Sequence, residues 1–235
     1  MKKMNQALLS VENLDVAYGS AKALHDISIN IGKGEMVFLV GRNGAGKTTL
    51  LKTISGFLKP RNGSILFNGK NINAHSIEQA SREGIRYVFQ DKRVFSELTV
   101  KDNIAIAAYG AKEKLSDALE KMFLIYPKLK DFINIKAKGL SGGQKQLLLI
   151  GRALIGNPSL ILIDEPTEGL AAGTIEDIFK VLSLLKGKMS LLIVEQNLSV
   201  VCRLADRVYT IEEGKITHEF TKDQLKDQSQ LEACL

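Results

Sequence analysis

The chain has 235 residues, a formal net charge of +6, 45% hydrophobic and 25% charged residues, the proportions of an ordinary globular protein of one large domain or one with a sizeable insertion. Its longest apolar runs, Met36–Val40, Leu147–Ile150, Leu160–Ile163 and Leu191–Val194, fall far short of the roughly 20 residues that span a bilayer. Cys202, Cys234 and three scattered histidines supply neither a disulfide framework nor metal-ligand spacing. The positive charge is compatible with nucleic acid, an anionic membrane face or nucleotide phosphates, but without a basic run or Trp it reads first as a solvated lysine-rich surface and identifies no partner.

Lys2 and Lys3 resemble a signal-peptide start, but Asn5, Gln6, Ser10 and Glu12 deny it an apolar core, so a cytoplasmic chain is expected. The opening third predicts strands at Leu8–Val11, Ile27–Ile31, Met36–Val40 and Ser64–Phe67, with turns at Gly32-Lys33-Gly34 and Asn62-Gly63. After Val40 a glycine loop breaks the strand, and Lys47–Ser55 predicts a helix. Ile85–Phe89 predicts another short strand. From about Asp91 the strand signals fade, and residues 91–150 are expected to form a helical subdomain, including Lys112–Leu124, within a single domain of residues 1–235. Leu147, Ile150, Gly151 and Leu154 share one helical face, while Leu160–Ile163 and Leu191–Val194 are continuous runs typical of parallel strands covered on both faces. Thr221–Leu235 reads as a polar helix. The fold class is α/β, with a parallel core sheet, an antiparallel β subdomain and an inserted helical subdomain.

Gly41-Arg42-Asn43-Gly44-Ala45-Gly46-Lys47-Thr48 fits G-x-x-x-x-G-K-[ST], with a strand before and a helix after, the setting of a phosphate-binding P-loop. Its glycines let backbone N–H groups face phosphate oxygens; Lys47 would reach the β- and γ-phosphates and Thr48 would hold Mg²⁺. Thr49 follows inside the same helix. Alone, the loop leaves kinase, GTPase and motor open.

Leu160-Ile161-Leu162-Ile163-Asp164-Glu165 is a buried strand ending in two carboxylates. Asp164 stands where open α/β sheets bind ligands and would join the Mg²⁺ shell, and Glu165 could orient or deprotonate an attacking water. Leu140-Ser141-Gly142-Gly143-Gln144 predicts a helix N-terminus with bare N–H groups, a second phosphate cradle in the same chain. One triphosphate uses two such cradles only when gripped from both sides.

In this order the motifs resemble the nucleotide-binding subunit of an ABC transporter over essentially the whole length: Tyr18, the P-loop, Gln90, the signature Leu140–Gln144, Asp164-Glu165 and a switch position at Gln196. The resemblance implies a P-loop ATPase whose cofactors are ATP and Mg²⁺, with adenine stacked on Tyr18. It also implies a Gln90 that senses Mg²⁺ and the lytic water while its loop meets the membrane subunit. Two subunits would face head to tail, Ser141, Gly143 and Gln144 of one capping the ATP held by the other. The implied partners are permease subunits, a second identical or related ATPase and, indirectly, a solute-binding protein. No nucleic acid is expected, and the location is the inner face of the cell membrane.

Two departures stand out. The switch position, usually histidine, is Gln196 in Val194-Glu195-Gln196-Asn197, an amide that donates a hydrogen bond but does not titrate. Glu168-Gly169-Leu170-Ala171 replaces a loop that usually ends in aspartate. With Lys92-Arg93-Val94-Phe95, Leu98-Thr99-Val100 and Tyr126-Pro127, these features are similar to the smaller ATPase of branched-chain amino-acid importers. Val88-Phe89-Gln90-Asp91 is instead the general family form, and a urea or short-amide importer ATPase is a close alternative. A soluble ABC-type ATPase acting on nucleic acid or ribosomes would need a second cassette or a long coiled-coil insertion, for which 235 residues leave no room.

Overall fold

The computed structural model describes residues 7–226 and 231–232; Lys2, Lys3, Asn5, Gln6 and Cys234 lie outside them. Two sheets form the frame. The strands β1 (Leu9–Tyr18), β2 (Ala21–Ile31), β3 (Met36–Val40), β4 (Asn62–Phe67), β5 (Lys70–Asn71), β6 (Ile85–Val88), β7 (Leu160–Asp164), β8 (Ser190–Val194), β9 (Arg207–Glu212) and β10 (Lys215–Thr221) divide between them. An antiparallel sheet has the order β2-β1-β4-β5, and the larger sheet runs β10-β9-β3-β8-β7-β6. In the larger sheet β9, β3, β8, β7 and β6 are mutually parallel, and only β10 is antiparallel.

The continuous apolar runs have a direct cause. Successive side chains of a strand point to opposite faces, and both faces of this sheet are covered. Met36, Phe38 and Val40 pack on one side with Ile161, Ile163 and Ile193; Val37 and Leu39 pack on the other with Leu160, Leu162 and Leu192. The second side is closed by β1, β2 and β4 together with α1 (Lys47–Ile54). Beyond α2 (Ile77–Arg82) come α3 (Val100–Gly110), α4 (Leu115–Ile125), two 3-10 turns and α5 (Gly142–Leu154), which pack on the first side with α6 (Ala172–Leu185) and α7 (Leu198–Leu204). No helix among the described residues is long and apolar enough to cross a membrane.

Several expectations change. Asn62-Gly63 is not a turn: it begins β4, and Gly63 is needed because a Cβ there would lie 2.4 Å from the Asn13 carbonyl oxygen. The helix expected over Lys112–Leu124 starts at Leu115, after Lys112 adopts φ 55° and ends the preceding segment. Phe89 lies beyond β6. Thr221 closes strand β10 rather than opening a helix, and the turn at Gln224–Lys226 is 3-10; the rest of that expected helix falls partly outside the described residues.

Candidate active site

Strands β3, β8 and β7 are neighbours and parallel, so the loops at their carboxyl ends meet at one edge of the sheet, where such sheets bind ligands. Those loops carry Gly41–Gly46, Gln196 and Asp164-Glu165, and β6 delivers Gln90 beside them. The alternation of strand and helix therefore gathers residues more than a hundred positions apart.

The glycine loop is shaped for anions. Gly44 and Gly46 sit at φ 83° and 107°, backbone that glycine reaches without strain. A Cβ on Gly41 would fall 2.2 Å from the Ile211 carbonyl oxygen, so β9 presses the loop's base closed. Helix α1 starts without a side-chain cap and without an acid in its first turn, which leaves its positive end open to phosphate. Lys47 is buried; its Nζ donates to the carbonyls of Gly41 at 2.7 Å and Arg42 at 3.1 Å and lies 3.4 Å from Glu165 Oε1. Tyr18, half exposed, brings its hydroxyl to 3.5 Å from Thr49 Oγ1. Tyr18, Asn43, Gly44, Gly46, Thr48 and Thr49 line a cleft of about 710 Å³.

Glu165 is the hub. It is buried, at φ 46°, and its N–H donates to the Val194 carbonyl at 3.0 Å, which ties it to the end of β8. Its Oε1 accepts from Gln196 Nε2 at 2.9 Å, and its Oε2 accepts from Gln90 Nε2 at 3.2 Å. The Gln196 amide also donates to Asn43 Oδ1 at 2.8 Å. Gln90 donates in addition to Glu168 Oε2 at 2.6 Å, and Lys92 Nζ donates to the Glu168 carbonyl at 2.7 Å.

Asp164 lies deeper. Its Oδ1 accepts from Thr48 Oγ1 at 3.2 Å and its Oδ2 from the Tyr87 hydroxyl at 2.8 Å. Burial raises its carboxyl above the ordinary value, opposed by the hydrogen bonds from Tyr87 and Thr48. Burial and the neighbouring Asp164 push the Tyr87 phenol far above its ordinary value, so it acts as a donor throughout the physiological range. Mg²⁺ takes oxygen ligands and is commonly shared between one or two protein oxygens, substrate phosphates and water. Thr48 Oγ1 and Asp164, side by side and both oxygen donors, fit that requirement.

The signature segment lies elsewhere. Ser141 caps α5: its Oγ accepts from Gln144 N at 3.2 Å, and its own N–H donates to Gln144 Oε1 at 2.9 Å. Gly143 is buried against α6, where a Cβ would lie 1.9 Å from Thr174 Cγ2. Ser141 and Gly142 face solvent, and Leu140–Gln144 contributes nothing to the lining of the P-loop cleft. Ala171 is the N-cap of α6 and supplies no side-chain cap.

The sequence reading missed four residues here. Tyr87 lies in β6 and Glu168 on the loop after β7, and their partners are set only by sheet order. His25 lines the cleft. Glu195 is buried beside Gln196 and accepts four hydrogen bonds; the signal for it was a charge directly after the apolar run Leu191–Val194.

Residues 24–168 match the family described as ABC transporter. The high-affinity branched-chain amino acid transport ATP-binding protein BraG of Pseudomonas aeruginosa is 39% identical over 89% of this chain and 91% of its own. A solved ATP-binding cassette of an ABC transporter superposes with a TM-score of 0.85 at 34% identity, covering 97% of both chains. A dimeric cassette in a post-hydrolysis state, bound to ADP and phosphate, superposes with a TM-score of 0.81 at 27% identity, over 91% of this chain and 98% of that one. With its P-loop, paired carboxylates and signature helix in this arrangement, the chain belongs to the ABC transporter family and is an ATPase of that family.

Proposed function

We propose that the chain is the ATP-hydrolysing subunit of an importer for branched-chain amino acids, working as a head-to-tail dimer at the inner face of the cell membrane. One observation carries the dimer: Leu140–Gln144 offers an exposed helix N-terminus, yet it stands apart from the cleft that holds this chain's own P-loop. A second subunit, identical or related, supplies the nucleotide that this terminus caps. The dimeric relative bound to ADP and phosphate supports that arrangement, and the relative from Pseudomonas aeruginosa supports the substrate class.

In this reading Tyr18 stacks on adenine, and Gly41, Arg42, Asn43, Gly44, Ala45 and Gly46 wrap the phosphates with backbone N–H groups. Lys47 exchanges its carbonyl partners for phosphate oxygens. Thr48, Asp164 and the Gln90 amide oxygen hold Mg²⁺, which when bound neutralises phosphate charge. Glu165, at 2.9 Å from Gln196 Nε2, orients or deprotonates the water that attacks the γ-phosphorus. Gln196 donates to the γ-phosphate, and Ser141, Gly142, Gly143 and Gln144 close the partner's site over it. A groove of about 640 Å³ opens beside the Gln90 loop, edged by the exposed rings of Phe57 and Phe89, and gives a permease helix a seat from which closure is felt.

The test is co-purification of the tagged chain with its membrane subunits, followed by uptake of labelled leucine into proteoliposomes. ATP-dependent uptake is expected. A membrane partner that carries a different solute would overturn the substrate class, and purification as a free monomer at saturating ATP would overturn the dimer.

A further inference from the structure

Glu195, directly before the switch residue Gln196, is a buried carboxylate, 2% exposed, to which no role has been given above. Its two oxygens face opposite ways. Oε1 accepts from the Thr167 N–H at 3.0 Å and from Thr167 Oγ1 at 2.5 Å; Oε2 accepts from the N–H groups of Gln196 at 2.8 Å and Asn197 at 2.9 Å. Thr167 stands two residues after Glu165, in the loop that leads to Ala171. Asn197 is the N-cap of α7, its Oδ1 accepting from Val200 N at 3.3 Å. One side chain therefore holds the loop after β7, two residues beyond Glu165, to the loop after β8 at Gln196 and Asn197.

We propose that Glu195 is a positioning residue for hydrolysis: a clip that fixes the Gln196 backbone relative to Glu165, so that the Gln196 amide meets both Glu165 Oε1 and the nucleotide. The inference rests on the reading that Glu165 and Gln196 carry the chemistry. Four donors meet four lone-pair directions of a carboxylate, which only accepts. An amide cannot match them, because one of its two ends must donate and would face N–H groups at either attachment. The Glu195 carboxylate itself bonds only Thr167, Gln196 and Asn197 and no P-loop atom, so its replacement should act on hydrolysis more than on ATP affinity. Because the clip also holds the loop running toward Ala171, a shift at the dimer interface reaches Gln196 by the same side chain.

Glu195→Gln in the full-length chain, measured under single-turnover conditions where slow variants are still readable, should lower the hydrolysis rate about ten-fold while the Kd for a fluorescent ATP analogue stays within about two-fold. In a Gln196→Ala background the same substitution should cost less than about two-fold, because its effect runs through Gln196. Thr167→Val removes one donor and keeps volume; it should give a smaller loss that vanishes in the same background, and it carries the test if Glu195→Gln does not fold. A wild-type rate for Glu195→Gln, or an undiminished loss in the Gln196→Ala background, overturns the clip. Glu165→Gln run alongside separates the two failures: hydrolysis at the wild-type rate there overturns the assignment of Glu165 itself.

Discussion

The Gln196 side-chain amide donates to Glu165 Oε1 at 2.9 Å, and the same carboxylate oxygen lies 3.4 Å from Lys47 Nζ. An amide and an ammonium thus share one buried acceptor, and the amide at the switch position, unlike an imidazole, does not titrate. The rate of hydrolysis should therefore show no step near pH 6.5 from the switch position. His25 also lines the cleft, so the profile is to be taken in a His25→Gln variant as well. A step that survives that substitution contradicts the assignment of Gln196, whereas Gln196→His should introduce one.

Asp164 carries a stability cost that its function imposes. Burial raises its carboxyl above the ordinary 3.8, so the folded chain holds this proton more tightly than the unfolded chain. Its favourable contribution is complete below about pH 3.8 and is lost as pH rises through the raised folded value. At pH 7.5 Asp164→Asn should therefore raise the Tm of the nucleotide-free chain. The gain should shrink as pH falls toward 4. Calorimetry at both pH values checks this; a lower Tm at pH 7.5 contradicts it. The added stabilisation on binding ATP with Mg²⁺ should be lost in the variant.

How far the sequence led depended on whether a residue's environment is local. The runs Met36–Val40, Leu160–Ile163 and Leu191–Val194 were readable because a strand covered on both faces has no polar side to interrupt it. Strands β1 and β2 were under-read at Leu8–Val11 and Ile27–Ile31, since their outer residues, such as Glu12, Lys22 and His25, break the apolar pattern while the ladder continues. The β9–β10 hairpin was not anticipated, although Glu213-Gly214 between alternating runs was its signal; α6 and α7 went unremarked for want of a motif. Lys47, Asp164, Glu165 and Gln196 were singled out as motif residues. Their partners Tyr87 and Glu195 were not, because strand order, not spacing, brings Tyr87 to Asp164 across 77 positions.

Ala171 offers a test in the opposite direction. It is the N-cap of α6 but has no side chain able to accept from the first turn. Ala171→Asp should supply that acceptor and stabilise the chain by about 1 kcal/mol, read as a Tm rise of about 2–4 °C. In the proposed dimer it would also place a carboxylate on the loop facing the second subunit. No gain in Tm would mean that the substituted side chain does not cap α6.

Gly143 is tied to packing as well as to the signature. A Cβ there meets Thr174 Cγ2 at 1.9 Å and Thr174 Cβ at 2.9 Å, and a β-branched side chain held in a helix has little room to turn away. Gly143→Ala should destabilise by about 1–3 kcal/mol, and Thr174→Ala in the same chain should recover part of the loss. Urea unfolding of the single and double variants measures both. Equal stability of Gly143→Ala and wild type would contradict the close approach of α5 and α6.

The central claim is that Glu165 drives hydrolysis inside an ATP-bound dimer. Glu165→Gln keeps the side chain's shape and its hydrogen-bonding reach but cannot accept a proton from water. ATP turnover of this variant, followed together with its elution volume in saturating ATP, is the most direct measurement. The expected result is turnover reduced at least about a hundred-fold with the chain eluting as a dimer. Turnover at the wild-type rate, or a monomer at every ATP concentration, would contradict the account.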